Sequence, residues 1–367
     1  MFRVGHAQAE HWRDAVNACL DMIGTVPPAA SLGFMYLSDR LAPHAKRILA
    51  HLRTETGLDA WVGSVGIGVL ANDTEYFDEP ALVVMIADLP EGEFSVFSGR
   101  SRAPLLGARS ASGAAAAHFA IVHGDPATED MPELIADMSR KVESGFLVGG
   151  LSSSRAETLQ IANEVLQGGL SGVVLSARVP IVTRLTQGCS PLPGRHVITE
   201  AERNVIVTID GRPALDVFRE AAGDLLARDL ARAAQHLLAG LPVPGSDTGD
   251  YLVRNIIGFD PANKLIAIAA HVEAGMPLLF CRRGGAAARE DLEGMLDSIA
   301  AGIKGTPRGG LYFTCVSRGA HMFGEEAAEV RMIRERLGDF PLAGFYSNGE
   351  ISHNRLYGYT GVLALFL

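Results

Sequence analysis

The feature that most restricts the fold of this chain is an internal repeat of strand, helix, strand with a glycine turn, and strand. Short apolar runs bounded by glycine are typical of buried strands, and apolar residues three and four positions apart are typical of helices that bury one face. Three copies cover residues 32–86, 118–177 and 311–366, and a weaker fourth covers residues 205–280. Any α/β chain alternates strands and helices, but the glycine turn after the second strand recurs in the three stronger copies. The sequence therefore predicts duplication.

This repeat predicts an α/β or α+β fold of two related domains, each with mixed β-sheets flanked by helices. Sheets would pack against each other inside, with helix layers outside. The predicted division is an N-terminal helical lead at residues 1–30 and domains at residues 31–214 and 215–367. The seam would fall at the DGRP segment, residues 210–213, because Asp-Gly favours a hairpin turn and proline cannot donate to a sheet. Two further segments are predicted loops: residues 101–117 and 242–249.

Composition and charge exclude several classes of partner. The 367 residues carry a net charge of −10 and no basic tract, so nucleic acid and membrane are predicted not to be partners. The N-terminus lacks the apolar core of a signal peptide, and no apolar run reaches the roughly 18 residues of a membrane span. Four scattered cysteines without a CxxC pair fit free thiols in a reducing cytosol. The chain is therefore predicted to be cytoplasmic, with no metal and no cofactor.

The C-terminal copy carries the candidate site, because polar residues follow two of its strands. The strand at residues 311–316 leads into SRG, and the strand at residues 341–346 leads into SNGE. Ligands of parallel α/β units bind at strand ends, so these two turns should lie side by side. The candidate ligand-binding residues are Cys315, Arg318, Tyr346, Ser347, Asn348 and Glu350.

Arg318 and Glu350 are the centre of this hypothesis. An arginine offers a planar fork of donors to a carboxylate, and a glutamate accepts from an ammonium group. Together they would clamp a zwitterion such as an amino acid, with Ser347 and Asn348 as neutral partners and Tyr346 as an apolar wall. The alternative is a structural ion pair between Arg318 and Glu350 at the sheet edge.

Cys315 and the histidines raise two other possibilities. Arg318 could lower the pKa of the nearby Cys315 thiol and make it reactive. Strand alternation instead places Cys315 on the same face as Phe313, which favours a core or pocket-lining role, and no adjacent base is identified. A histidine of the C-terminal half could ligate haem, but there is no CxxCH motif and only 7% of residues are aromatic.

Several motifs resemble one protein family. FTCVSRG followed by PLAGFYSNGEI resembles the FIST C domain, while the glycine pair at residues 149–150, QGCSP, VITEA and IDGRPAL resemble the end of a FIST N domain. The resemblance extends from Ser31 to the C-terminus and makes residues 31–214 FIST N-like and residues 215–367 FIST C-like. It implies a sensory, small-ligand-binding module of signal transduction, often fused to histidine kinases, cyclic-dinucleotide enzymes or chemotaxis receptors. Some bacterial relatives are described as haem-binding nitric oxide sensors.

The resulting prediction is a cytoplasmic, non-enzymatic sensory protein that binds amino acids or similar small polar ligands. Its output would pass to a separate signalling protein, such as a kinase or a cyclic-dinucleotide enzyme. Three alternatives remain open. They are a haem-binding nitric oxide sensor, an enzyme dependent on Cys315, and a protein-interaction scaffold with no closed polar pocket near Arg318 and Glu350.

Overall fold

The computed structural model describes residues 1–99, 116–226, 229–243 and 250–367, and most of the two predicted loops lies outside these residues. The chain forms two compact units. One combines residues 1–186 with residues 291–367, and the other is residues 187–290. The predicted domain limits at residues 30 and 214 do not coincide with the limits of these units. Among the described residues, no helix combines the length and apolar character needed to cross a membrane.

The first unit contains three copies of one arrangement of strands and helices. The first copy comprises β1 (Phe2–Gln8), α1 (Trp12–Ile23), β2 (Leu32–Ser38), α2 (Ala45–Thr56), β3 (Ala60–Gly66), β4 (Gly68–Ala71), β5 (Thr74–Phe77) and β6 (Ala81–Ala87). The second comprises β7 (Phe94–Gly99), β8 (Phe119–Gly124), α3 (Met131–Ser139), β9 (Phe146–Leu151), β10 (Leu159–Ala162), β11 (Val165–Gln167) and β12 (Leu170–Leu175).

The third copy begins with β13 (Ile181–Gln187), and the second unit follows it in the chain. That unit comprises β14 (Cys189–Pro191), β15 (His196–Glu202), β16 (Val205–Ile209), β17 (Arg212–Pro213), α4 (Ala214–Leu226), α5 (Leu230–His236), β18 (Leu237–Pro242), β19 (Tyr251–Arg254), β20 (Ile256–Asp260), β21 (Leu265–Ile268) and β22 (Pro277–Arg283). The third copy then resumes with α6 (Gly285–Gly302), β23 (Gly309–Cys315), α7 (Ala320–Phe323), α8 (Ala328–Leu337), β24 (Leu342–Ser347), β25 (Glu350–Ser352), β26 (Arg355–Tyr357) and β27 (Thr360–Phe366).

Each copy builds a six-stranded sheet around a parallel pair. The pairs are β2–β3, β8–β9 and β23–β24, and an antiparallel strand (β6, β12 or β27) flanks the first member of each pair. The second member pairs with a hairpin that comes from another copy. Hairpin β4–β5 joins the third sheet, β10–β11 joins the first and β25–β26 joins the second. Each copy therefore gives its hairpin to another copy and receives one in return. The first and last copies belong to one unit, which contains both ends of the chain.

Three glycines mark the same position in the three copies. A Cβ atom on Gly63, Gly149 or Gly344 would lie 1.8 Å from the carbonyl oxygen of the neighbouring parallel strand, at Met35, Val122 and Tyr312 respectively. No side chain fits such a contact, so glycine is required where the two parallel strands approach each other. The structure confirms an internal repeat and shows three copies of it. The predicted glycine turn after the second strand is wrong, because these glycines lie within the second strands, β3, β9 and β24.

The three sheets surround one apolar core. Inner-facing residues of all three sheets form a single cluster that includes Phe34, Ile121 and Phe313, all fully buried. Helices α1 and α2 cover the other face of the first sheet, and α3 covers that of the second. The predicted layering, with strands inside and helices outside, is therefore what the first unit shows.

The N-terminal segment belongs to this unit and is more than a helical lead. Strand β1 pairs with β6 from Phe2 to Gln8, and Val16 and Cys19 of helix α1 are fully buried in the cluster on the outer face of that sheet. Alternation of buried and half-exposed residues along β1 is weak, and this explains why the sequence does not reveal the strand.

The second unit is an antiparallel sheet of nine strands, with α4 and α5 against one face. The predicted Asp210-Gly211 turn is confirmed as the connection between β16 and β17, and it lies inside this compact unit. The weaker fourth repeat predicted for residues 205–280 is not found. Every strand pair described in this unit is antiparallel, whereas each true repeat contains a parallel pair.

Candidate functional site

One layer of inner-facing residues crosses all three sheets near the carboxyl ends of the parallel strands. The members of this layer within each sheet are direct cross-strand partners. Where the sheets meet, β10 contacts β12, β25 contacts β27 and β4 contacts β6. The rows are Val83–Tyr36–Ser64–Gln160 in the first sheet, Ser171–His123–Gly150–Glu350 in the second and Val362–Phe313–Phe345–Val69 in the third. The first two rows are largely polar and the third is apolar. The core therefore contains polar side chains at this level, and the first two rows together are called the polar layer.

The predicted site residues lie at the strand ends of the third copy, as the sequence indicated. Cys315 and Ser347 are the last residues of β23 and β24 and are direct neighbours in the parallel register. Glu350 begins β25 and accepts a hydrogen bond from the Ser347 hydroxyl at 2.5 Å. Asn348 is exposed between them, and its backbone N–H donates to the Leu151 carbonyl at 3.0 Å. The structure thus brings Cys315, Ser347 and Glu350 together.

Arg318 faces a different partner on the helix side of the sheet. Its side chain is fully buried and pairs with Glu329 at the start of α8, Nη2 to Oε2 at 2.6 Å and Nε to Oε2 at 2.9 Å. Tyr312 and Thr314 donate to the same carboxylate at 2.5 and 2.9 Å. The alternative of an Arg318–Glu350 ion pair is wrong, because Glu329 is the ion partner of Arg318.

The electrostatics of Arg318 follow from this arrangement. Burial by itself would lower the pKa of the guanidinium, but the adjacent Glu329 charge and its hydrogen bonds outweigh burial and leave the pKa raised. The guanidinium carbon also lies 5.2 Å from the centre of the Phe323 ring. A buried pair with both charges satisfied in this way holds α8 against the sheet.

Strand alternation explains why Arg318 and Glu350 separate. Tyr312 and Thr314 point toward α8, whereas Phe313 and Cys315 point into the core. Glu350 lies on the inner face of the second sheet, because its neighbour Ile351 packs on the opposite, helix-covered face. The two charges therefore belong to opposite sides of a layer of strands.

Glu350 is a fully buried carboxyl group held by neutral donors. Besides Ser347, the Thr360 hydroxyl donates to Oε2 at 2.7 Å and the Thr360 N–H donates to the same atom at 3.2 Å. Burial raises the pKa of Glu350 to about 7, although these hydrogen bonds and the more distant Arg318 charge act in the opposite direction. The group is therefore poised between its neutral and charged forms near neutral pH.

Tyr346 lies on the helix side of the third sheet, as Arg318 does. Its hydroxyl donates to Glu75 Oε2 at 2.6 Å. Glu75 comes from hairpin β4–β5 of the first copy, and Ala327 N–H at the start of α8 donates to the same oxygen at 3.2 Å. Burial and the nearby Glu329 charge raise the pKa of Glu75 to about 7. A hairpin from the first copy is thus fastened to a helix of the third by a carboxyl group that titrates near neutrality.

Sequence reasoning missed both Glu329 and Glu75. A signal was present for Glu329, because it shares one helical stripe with Ile333 and Leu337, four and eight residues later, and both of these are buried. No comparable signal marks Glu75, because its environment is created by a hairpin that crosses into another copy.

The surroundings of Cys315 disfavour the thiolate form of its side chain. Burial, with the neighbouring Glu350 charge, raises the pKa of its thiol to about 12. A thiolate is the reactive form of cysteine, so these surroundings oppose the nucleophilic role that was considered for this residue.

The three copies meet at Ser153, just after β9. Its N–H donates to the Val65 carbonyl at 3.2 Å, its hydroxyl donates to the Tyr346 carbonyl, and the Ile67 N–H donates to that hydroxyl at 2.8 Å. These partners lie at the carboxyl ends of β3 and β24. One serine therefore ties together the strand ends of all three copies next to the polar layer.

Two open surface cavities do not reach Glu350. One of about 700 Å³ is lined by residues around Asp125, Glu133 and Gly168, and one of about 490 Å³ lies around Phe146 and Ile181. Neither includes Arg318 or Glu350. The candidate group is consequently an internal one, covered by the strand ends and the exposed Asn348.

The fold is an α/β unit of three repeats with exchanged hairpins, and an antiparallel unit is inserted in the chain within the third repeat. Family comparison matches residues 31–212 to the FIST N domain and residues 214–353 to the FIST C domain. The chain belongs to the FIST family, a sensory family of signal transduction. The boundary between the two matches falls inside the second compact unit, so the family domains are not separate bodies in space.

The curated relatives are similar over nearly their full lengths. An uncharacterized protein of Mycobacterium tuberculosis is 33% identical over 371 residues, which covers 96% of this chain and 94% of the relative. An uncharacterized protein of Mycobacterium bovis is 32% identical over 367 residues, covering 95% of this chain and 92% of the relative.

Proposed function

We propose that this chain is a cytoplasmic sensory protein whose ligand is a small polar molecule carrying an ammonium group, such as an amino acid, bound at Glu350. The observation that carries the proposal is a fully buried carboxyl group whose hydrogen-bond donors are neutral. Buried carboxylates are usually paired with a cation, and an unpaired one is costly. A ligand ammonium would supply the missing positive charge.

The surroundings of Glu350 suit such a ligand. Ser347 and Thr360 fix the carboxyl group from two sides, and Asn348 offers an exposed amide directly beside Ser347. Arg318 is committed to Glu329, so a clamp on a zwitterion requires displacement of that ion pair. The proposal therefore gives the ammonium group the main role, and the predicted clamp of Arg318 with Glu350 stays a prediction.

The position of Glu350 also suggests how binding is transmitted. Glu350 lies where the hairpin of the third copy joins the second sheet, and Thr360 begins β27 of the third sheet. A ligand that favours charged Glu350 would favour one arrangement of this seam over others, which is a population shift. A separate signalling protein, such as a kinase or a cyclic-dinucleotide enzyme, would recognise the favoured arrangement.

The test is isothermal titration calorimetry of the full chain with a panel of amino acids, simple amines and carboxylic acids at pH 7.5. We expect amines and amino acids to bind, carboxylic acids without an amine not to bind, and Glu350→Gln to abolish binding. Glu335→Gln, which neutralises an exposed carboxylate on α8, is the matched control and should bind like the wild type. Binding that survives Glu350→Gln would refute the site.

A further inference from the structure

Three buried polar atoms in the polar layer have no hydrogen-bond partner within the described chain. They are His123 Nδ1, Ser171 Oγ and Gln160 Oε1. The three residues are 0, 3 and 0% exposed, respectively. Buried polar atoms in folded proteins are nearly always satisfied by protein or by a bound molecule, so three such atoms call for a common explanation.

These atoms come from one part of the molecule. His123 and Ser171 are direct partners on the antiparallel strands β8 and β12, which places their Cβ atoms about 4.5–5.5 Å apart. Both point inward, because Val122 and Leu170, beside them in sequence, pack against α3 on the outer face. Gln160 points inward from β10, and β10 contacts β12 where the first and second sheets meet.

The remaining polar atoms of these residues are occupied, which fixes what the free atoms can do. The Gln160 amide donates to Ser152 Oγ at 2.8 Å and to the Thr158 carbonyl at 3.2 Å, so its Oε1 is left as an acceptor. His123 Nε2 lies 3.2 Å from the Tyr36 hydroxyl, so Nδ1 is left as a donor or an acceptor, depending on the tautomer. The Ser171 hydroxyl can do both.

The third copy shows that the fold does not need polar groups here. At the positions of His123 and Ser171, the first copy has Tyr36 and Val83 and the third has Phe313 and Val362. An aromatic ring with valine beside it therefore fits the layer. The second copy differs by placing an imidazole and a hydroxyl where the third has only apolar atoms and the first has only the Tyr36 hydroxyl.

We propose that His123, Ser171 and Gln160 line an internal binding site for a small neutral molecule that both donates and accepts hydrogen bonds, with water as its smallest occupant. Two to four polar partners are what a buried water requires, and the three free atoms meet that requirement. The site is distinct from Glu350, because Gly150 and the Ser347 side chain over it stand between His123 and Glu350. Burial lowers the pKa of His123 to about 3, so its imidazole is neutral near pH 7 and matches a neutral occupant.

The sign of a stability change tests this site. If a bound molecule satisfies the Ser171 hydroxyl, Ser171→Ala removes a hydrogen bond and should lower the Tm of the full chain by about 2–4 °C. If the hydroxyl is truly unsatisfied, the same change removes a buried polar group without a partner, and Tm should be unchanged or higher. Ser64→Ala is the matched control, because the Ser64 hydroxyl is bonded to Ser152 Oγ at 2.8 Å and its loss should lower Tm in either case.

A crystal structure of the full chain supplies an independent readout. We expect density within hydrogen-bonding distance of His123 Nδ1, Ser171 Oγ and Gln160 Oε1. One or more waters, or a larger neutral molecule identified by mass spectrometry of the denatured protein, would both support the proposal and would distinguish its two sources. No density there, or an unchanged or raised Tm for Ser171→Ala, would overturn it. Loss of ligand binding at Glu350 would leave this result untouched.

Discussion

Two glutamates of the third copy, Glu329 and Glu350, are both fully buried but differ in their partners. Glu329 accepts two hydrogen bonds from the Arg318 guanidinium and two from hydroxyl groups, on the helix side of the sheet. Among the residues that the structure describes, Glu350 accepts from the Ser347 hydroxyl and from the hydroxyl and backbone N–H of Thr360, on the core side. The same side chain is thus charge-compensated in one place and uncompensated in the other.

The difference separates a structural role from a binding role. A compensated buried pair is complete without any other molecule, and removing one of its two members leaves the other charge buried and unpaired. An uncompensated carboxyl group keeps a raised pKa and gains most when a cation arrives. Burial and charge alone would rank the two glutamates equally, so the partners decide their roles.

The largest effect should come from breaking the compensated pair. Glu329→Gln leaves the Arg318 charge buried without an anion and should reduce the free energy of unfolding by about 3–5 kcal/mol. Urea denaturation at pH 7.5, with Glu335→Gln as the control for loss of an exposed carboxylate, measures it. A loss below about 1 kcal/mol would mean that the Arg318 pair does not hold the fold.

Glu350 should show its effect as a dependence on pH. Its folded pKa of about 7 lies above the usual 4.5, so the folded state holds a proton that the unfolded state has lost between these values. Stability from this group is complete below pH 4.5 and is lost as pH rises through 7. Glu350→Gln should therefore match the wild type at pH 4.5 and exceed it by about 3 kcal/mol above pH 7.

Denaturation of both proteins from pH 4.5 to 8 gives this comparison directly. Glu75 has the same sign of shift and remains in the variant, so part of the pH dependence will persist. A Glu350→Gln variant that is less stable than the wild type above pH 7 would contradict the uncompensated state of Glu350.

A smaller effect is expected when both members of the compensated pair are replaced. Arg318→Met combined with Glu329→Gln removes both charges, keeps an acceptor for the Tyr312 and Thr314 hydroxyls, and should cost less than Glu329→Gln alone, within about 2 kcal/mol of the wild type. Ligand affinity measured by calorimetry should be retained, because neither residue faces Glu350. Lost affinity in a folded double variant would restore Arg318 to the binding site.

The smallest effect on stability is expected at Asn348. This residue is exposed, and its backbone bond to Leu151 does not depend on the side chain, so Asn348→Ala should change the free energy of unfolding by less than about 0.5 kcal/mol. Ligand affinity should fall if its amide contacts the ligand beside Glu350. Unchanged affinity would limit the site to the buried groups.

Much of the local structure could be predicted from the sequence. The strand predicted at residues 311–316, which the structure places at Gly309–Cys315, the helix ending before Gly338 and the inward face of Phe313 all follow from periodicity and glycine positions. The contact between Ser347 and Glu350 could also be anticipated, because the two residues are only three positions apart in the chain. The partner of Arg318 was not, because it depends on which face of the strand layer the guanidinium takes.

By itself, the sequence determined that this chain contains repeated α/β units, resembles the FIST family and carries polar residues at the strand ends of its last repeat. Those properties depend on residues close together in the chain, where periodicity and turn chemistry act. Only the tertiary structure decided that hairpins are exchanged among copies, that Arg318 pairs with Glu329, and that Gln160, His123 and Glu350 lie in one layer. These contacts join residues up to hundreds of positions apart, and no local pattern specifies which distant strand a hairpin will pair with.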